Sequence, residues 1–180
     1  MGPIKFGTDG WRAKVGEKFT FEQIRLVAQG YVNYLRKTKK SPPLKIIVNF
    51  DTGFLSKKFA LETAKIFSLN SIQALIPNRD VPLAAVSLAI IHRRCYGGIN
   101  FTKSSNNPVH NVLRIFNAKG APALPSETSL IENEVSKIVD SYHFNPQYAN
   151  EELIESILRS AWQRKEAPDA CSNATDADTP

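Results

Sequence analysis

The residues best suited to chemistry in this 180-residue chain lie between Asn100 and Phe116, NFTKSSNNPVHNVLRIF. A β-type run, Gly98-Ile99-Asn100-Phe101, ends in the polar stretch Thr102-Lys103-Ser104-Ser105-Asn106-Asn107 and Pro108, and a second apolar run, Val112 to Phe116, follows. Hydroxyls, amides and an ammonium in a loop that leaves a strand suit a phosphate or a sugar, with a serine as the atom of most interest. A serine hydroxyl is a weak nucleophile until its proton is removed or a cation stabilises the developing charge. Phosphoryl transfer depends on positioning and on cationic groups, and the cations on offer are Lys103, Arg12 and Arg114. The same polar residues also make an ordinary turn.

Two other stretches could contribute. In Phe6-Gly7-Thr8-Asp9-Gly10-Trp11-Arg12, glycines around Thr-Asp mark a tight turn between short extended pieces. It is either a plain turn with Trp11 packed on the core or a backbone loop near an anion with Arg12 as the charge. Asp51, at the end of an apolar run, is a turn former or a carboxylate lining a site.

The elements that must hold these residues alternate. A capping box at Thr20 and Gln23 opens a helix with Phe21, Ile24, Ala28, Tyr31 and Leu35 on one face. Leu44 to Phe50 reads as a strand, and Ser56 caps a helix with Phe59, Ala60, Ala64 and Phe67 inward. Ser71 to Ile76 is a short strand. Asp80 and Pro82 start a helix whose Leu83 to Ile91 segment is apolar nearly all round, which predicts burial on most sides. Gly97-Gly98 stops it and admits the next strand. The turn Asn117-Ala118-Lys119-Gly120 precedes a helix from Pro125 with Ile131, Val135 and Ile138 inward, and a weaker helix is expected from Asn150 to Arg164. This alternation predicts an α/β fold, a three-layer α/β/α sandwich with a mixed, mostly parallel sheet. The loop before Val112 is short for a parallel crossover, so that strand should run antiparallel to the one through Ile99. Residues 1–145 form the expected domain, 146–165 a linker-type helix and 166–180 a disordered tail.

Composition narrows the function classes. At 42% apolar and 22% charged, the chain suits one globular domain with a real core. No apolar run approaches the roughly 20 residues that span a bilayer, and the start lacks a signal-peptide pattern. A cytoplasmic location without membrane attachment is the expectation. Cys95 and Cys171 are too few and too isolated for a disulfide framework or a zinc site; Cys95 should be a buried, inert thiol. The net charge of +6 could attract nucleic acid. However, the densest basic run, Arg36-Lys37-Thr38-Lys39-Lys40, sits at a helix end where it complements the dipole, and no nucleic-acid motif accompanies it.

Three motifs in order resemble the α-D-phosphohexomutase superfamily, the phosphoglucomutases and phosphomannomutases, over roughly Ile4 to Tyr142. Phe6 to Arg12 is similar to the F-G-T-S/D-G-x-R of that family. Val48 to Ser56 is similar to V-G-x-D-x-R-x-x-S, and the loop after Gly97-Gly98-Ile99-Asn100-Phe101 aligns without a gap to T-A-S-H-N-P-x-x-Y-N-G-I-K. The resemblance implies a first α/β/α domain in which Ser104 takes the place of the phosphorylated serine. Arg114 takes that of the acid/base lysine, while Arg12, Thr102, Lys103, Ser105, Asn106 and Asn111 would bind substrate or phosphate. It implies Mg2+ held partly by the phosphate on Ser104, a hexose phosphate substrate, and partners in the form of further domains or another copy of the chain. Gly53 stands where the family has arginine and Val112 where it has glycine. Arginine stays protonated at working pH, so Arg114 can bind phosphate but cannot act as a base. A register shifted by one puts Ser105 at the nucleophile and restores Asn107-Pro108 to the motif. The family's D-G-D-x-D-R, G-E-x-S-G-H and R-x-S-G-T-E loops do not occur. The expectation is therefore a phosphoserine-bearing domain with little catalysis alone, or a non-catalytic phosphosugar- or protein-binding module.

Overall fold

The structure is a computed structural model that describes residues 4–38 and 43–144. The expected helix at 150–164, linker at 146–165 and tail at 166–180 lie outside the described residues, as do Lys39, Lys40 and Cys171. The elements are β1 (Trp11–Lys14), α1 (Phe21–Thr38), β2 (Lys45–Phe50), α2 (Ser56–Leu69), β3 (Gln73–Leu75), α3 (Leu83–His92), β4 (Gly97–Lys103), β5 (His110–Asn117) and α4 (Pro125–Phe144), in the order the periodicities predict.

The strands form one sheet, ordered β1-β5-β4-β2-β3. β2 pairs parallel with β3 and β4, while β5 is antiparallel to both β4 and β1. Only β5 therefore runs against the others, because the short 104–109 connection cannot carry the chain back for a parallel pairing. Helices on both faces complete the α/β/α sandwich. α1, α2 and α4 cover one face over the larger core, centred on Phe19, Phe59, Phe67, Ile99 and Phe101. α3 covers part of the other over Ile47, Val86, Ile90, Cys95 and Phe116. Trp11 is buried and stacks on Phe19 at 4.7 Å. Thr20 Oγ accepts the Gln23 N–H at 3.3 Å, which sets the start of α1. Cys95 is buried, and burial pushes its thiol pKa up. No helix among the described residues is long and apolar enough to cross a membrane.

Two local expectations are corrected. α3 is not buried on most sides: Val86 and Ile90 face the sheet, but Leu88 is 68% exposed and Ile91 55%. It is the one described helix on its face of the sheet, so nothing packs over its outer side. Pro82 stands immediately before the first residue of this helix, as expected, and no side chain caps it. The helix also ends before Gly97. Arg94 adopts a left-handed φ of 52°, the Cys95 N–H reaches Ile90 O at 2.8 Å and the Arg94 N–H reaches Ile91 O at 3.0 Å, the bonding of a Schellman turn. Ser71 closes α2 the same way at φ 60°.

Both positions place a Cβ where glycine is favoured, at a cost of roughly 1–2 kcal/mol for the left-handed backbone. Arg94→Gly and Ser71→Gly should each raise stability by about 0.5–1 kcal/mol once glycine's unfolded-state entropy is subtracted. Urea unfolding checks this; an unchanged or lower midpoint in both variants would contradict the assignment.

Candidate functional site

Glycine shapes the approach to the sheet end. The Thr8-Asp9 turn is closed by the Gly7 N–H to Gly10 O bond at 3.0 Å and the Gly10 N–H to Gly7 O bond at 3.1 Å. Gly10 has φ 112°, and a Cβ there would lie 2.3 Å from Leu113 O, so only glycine lets β1 seat against β5.

The serine loop is a compact turn with its own hydrogen bonds. The Ser104 N–H donates to His110 O at 2.8 Å, the His110 N–H to Asn107 O at 3.1 Å, and Asn107 Oδ1 accepts the Val109 N–H at 3.1 Å. Ser104 Oγ accepts the Asn106 N–H at 3.3 Å. Ser104 is only 4% exposed, whereas Ser105 is exposed and donates its hydroxyl to Asn106 Oδ1 at 3.1 Å. The expectation of a hydroxyl presented at position 104 is thus not met in this conformation: Ser104 continues the strand inward and the neighbouring hydroxyl faces out.

Asp51 ties this loop to the β2–α2 connection. One carboxylate oxygen accepts the Gly53 N–H at 2.8 Å; the other accepts the Thr102 hydroxyl at 2.7 Å and the Lys103 N–H at 3.0 Å. The two readings of Asp51 merge, since it closes a turn and braces the end of β4. Ser56, expected as the cap of α2, is its first helical residue, and Leu55 at φ 61° precedes it without a side-chain cap. Ser56 Oγ is buried and near enough to Asp51 to lower its pKa, but lacks the alignment of a full hydrogen bond. A Cβ on Gly53 would lie 2.7 Å from Asp51 Oδ1 and 3.0 Å from Lys103 N. The clasp therefore excludes any side chain where the family carries arginine.

Strand register assembles the cations. Thr102 is opposite Val112, and Val112 is opposite Arg12. Directly paired antiparallel residues share a face, and so does Arg114, two residues beyond Val112. Arg12, Thr102 and Arg114 therefore lie on the α3 side of the sheet. Arg12 pairs with Asp9 at 3.7 Å. Arg114 Nε is buried with no hydrogen-bond partner among the described residues, and a guanidinium in that state suits an oxyanion. Beside it is a cleft lined by Gly7, Thr8, Asp9, Gly10 and Leu83. Arg114 is opposite Asn100, whose Oδ1 accepts Asn49 Nδ2 at 2.7 Å. This buried amide pair, which sequence reading missed, was signalled by asparagines at matching places in two apolar strands.

Asn111 does not join this group. It is 1% exposed, and its Nδ2 donates to Phe54 O at 2.8 Å. It pins the β2–α2 loop through one of its two amide hydrogens. The lysine at 103 contributes its N–H to Asp51, and its side chain is exposed. Among the described residues no group of three or more His, Cys, Asp or Glu could hold a metal ion, and Asp51 already accepts three hydrogen bonds. These residues do not fit a magnesium site by themselves.

Burial raises the pKa of Asp51, but bonds from Thr102, Gly53 and Lys103, with the nearby Ser56 hydroxyl, outweigh it and leave the carboxyl below its ordinary value. A lowered folded pKa adds stability that is present above the unfolded value and lost as pH falls through the folded one. Asp51→Asn should cost about 1.5–3 kcal/mol at pH 7. That deficit should shrink as pH drops from about 5 toward 3 in denaturant titrations; a deficit independent of pH would show that the charge is not what holds the clasp.

Comparison with known proteins follows the same boundaries. The family model for phosphoglucomutase/phosphomannomutase, alpha/beta/alpha domain I, matches residues 3–141. A phosphoglucomutase of Staphylococcus saprophyticus is 31% identical over 140 residues, covering 76% of this chain and 25% of that protein. One from Staphylococcus aureus strain USA300 is 27% identical over 143 residues, with the same coverages of 76% and 25%. The chain thus spans about a quarter of the length of these curated relatives. A solved structure of a Thermus thermophilus protein assigned as a phosphomannomutase superposes with a TM-score of 0.69 at 28% identity, covering 74% of this chain and 30% of that one. The open form of the Paramecium phosphoglucomutase parafusin, at TM-score 0.68, 22% identity and coverages of 76% and 26%, is a likeness of fold alone. The family model spans most of the chain and the fold superposes on a solved relative, so the chain belongs to the phosphoglucomutase/phosphomannomutase family through its α/β/α domain I.

Proposed function

We propose that this chain is a phosphoserine-bearing domain that binds hexose phosphates in cytoplasmic carbohydrate metabolism and takes part in phosphoryl transfer only with further domains or another chain. The observation that carries this reading is that Arg12, Thr102 and Arg114 share one sheet face, Arg12 and Thr102 near the strand ends that hold the serine loop and Arg114 farther along β5, opposite Asn100. In this reading Ser104 takes the phosphoryl group. Lys103, Ser105 and Asn106 meet the phosphate oxygens, those of the sugar before transfer and of Ser104 after it, and Arg12 and Arg114 add positive charge from the α3 side of the sheet. Arg114 serves as a fixed positive charge, because its guanidinium does not give up a proton. Transfer also needs a proton acceptor for the hydroxyl, and the serines offer none: Ser105 donates to an amide oxygen, and Ser104 accepts from an N–H. Magnesium in this family neutralises phosphate charge; the residues described do not supply its ligands, and no step is assigned to it.

Exposed Leu88 and Ile91 on α3 favour a protein contact as a second feature of the same domain. A reading without catalysis, as a phosphosugar-binding module, is favoured by the buried Ser104.

Incubation with glucose 1,6-bisphosphate and Mg2+, with the further family domains supplied in trans, followed by mass spectrometry, should find a phosphate on the 102–108 peptide, while the chain by itself stays unphosphorylated. No adduct, with sugar phosphate still bound, would transfer the conclusion to the binding module. Arg114→Ala should weaken glucose 1-phosphate binding by about tenfold or more, read by titration calorimetry; unchanged affinity would remove Arg114 from the site.

A further inference from the structure

Phe54 stands apart from the other phenylalanines. It is 73% exposed, whereas Phe6, Phe19, Phe21, Phe50, Phe59, Phe67, Phe101 and Phe116 are buried or half-buried. An isolated exposed apolar side chain needs no explanation by itself, but the backbone that carries this one is held from both sides. The preceding Gly53 N–H is fixed by Asp51, the Phe54 carbonyl accepts Asn111 Nδ2 at 2.8 Å, and the following Leu55 is in the left-handed region at φ 61°. A left-handed leucine is a strained conformation that persists only where its surroundings impose it. Constraints on three consecutive residues thus fix an apolar ring in solvent.

The place is the rim of the serine loop. Gly53 packs so closely on Lys103 N that a Cβ would lie 3.0 Å from it. Asn111, which holds Phe54, is paired across the strands with Lys103, the residue before Ser104. Val109, within the serine loop itself, adds a second exposed apolar side chain. We propose that Phe54 is a stacking platform for the pyranose ring of a hexose phosphate whose phosphate lies on the 102–106 segment. A pyranose presents a face of C–H groups carrying slight positive charge, which suits the electron-rich face of an aromatic ring. Its hydroxyls and phosphate then face the polar loop, the usual division of a sugar site into an apolar wall and a few polar contacts. Phe54 in this role sets specificity for a ring-bearing phosphate and is not a catalytic residue. The proposal rests on the hexose phosphate reading above.

The test uses the full chain and two probes, glucose 1-phosphate and glycerol 3-phosphate, with dissociation constants from amide chemical-shift titration. The wild-type chain should prefer the sugar phosphate. Phe54→Ala should lower glucose 1-phosphate affinity about three- to tenfold, leave glycerol 3-phosphate affinity unchanged, and so erase the preference; Phe54→Trp should retain it. Because the ring is exposed, the amide spectrum of each variant should show the native fold. Equal losses for both probes, or no loss, would overturn the platform while leaving phosphate binding intact. Absence of binding by the wild-type chain to either probe would overturn the hexose phosphate reading and the platform with it.

Discussion

A single carboxylate joins the parts of this domain that matter for chemistry. Asp51 follows β2, yet two of its three hydrogen bonds come from Thr102 and Lys103 at the end of β4. The third closes its own turn through Gly53. A half-buried carboxylate is costly unless its oxygens are satisfied, and here satisfaction requires that two loops far apart in sequence lie side by side. The serine loop inherits its position from that requirement. So does the missing side chain at residue 53, because any Cβ would occupy the space the bonds need.

The second constraint is the sheet register. β5 lies antiparallel between β1 and β4, so residues paired across it share a face. That geometry puts Arg12, from the first strand of the chain, on the same face as Thr102 and Arg114. It also divides the polar residues near the loop. Asn111 points its amide to the loop that carries Phe54, and Asn49 and Asn100 bind each other under α3. The result is a rim with few uncommitted polar groups; Arg114 Nε, Ser56 Oγ and His110 Nδ1 are buried ones among the described residues.

The elements of the fold were legible because each follows from local rules. Helical spacing from Ile24 to Leu35, the Thr20 cap, the apolar run around Ile46 to Val48 and the short 104–109 return each predict what is observed. The failures have a common cause, which is that exposure depends on what the rest of the chain leaves uncovered. The α3 helix is apolar enough for a core, yet no second described helix covers its outer face. Arg94 and Ser71 end helices through backbone bonds that carry no residue signature.

The sequence by itself determined the β-α order, the antiparallel return of β5, the family motifs and the loss of a base at Arg114, since these depend on residue type and short spacing. Only the tertiary structure decided which hydroxyl is exposed, what Asp51 and Asn111 bind, and that Arg12 and Arg114 share a face. Those facts come from pairing between distant segments, where a shift of one residue in register reverses the side a residue presents.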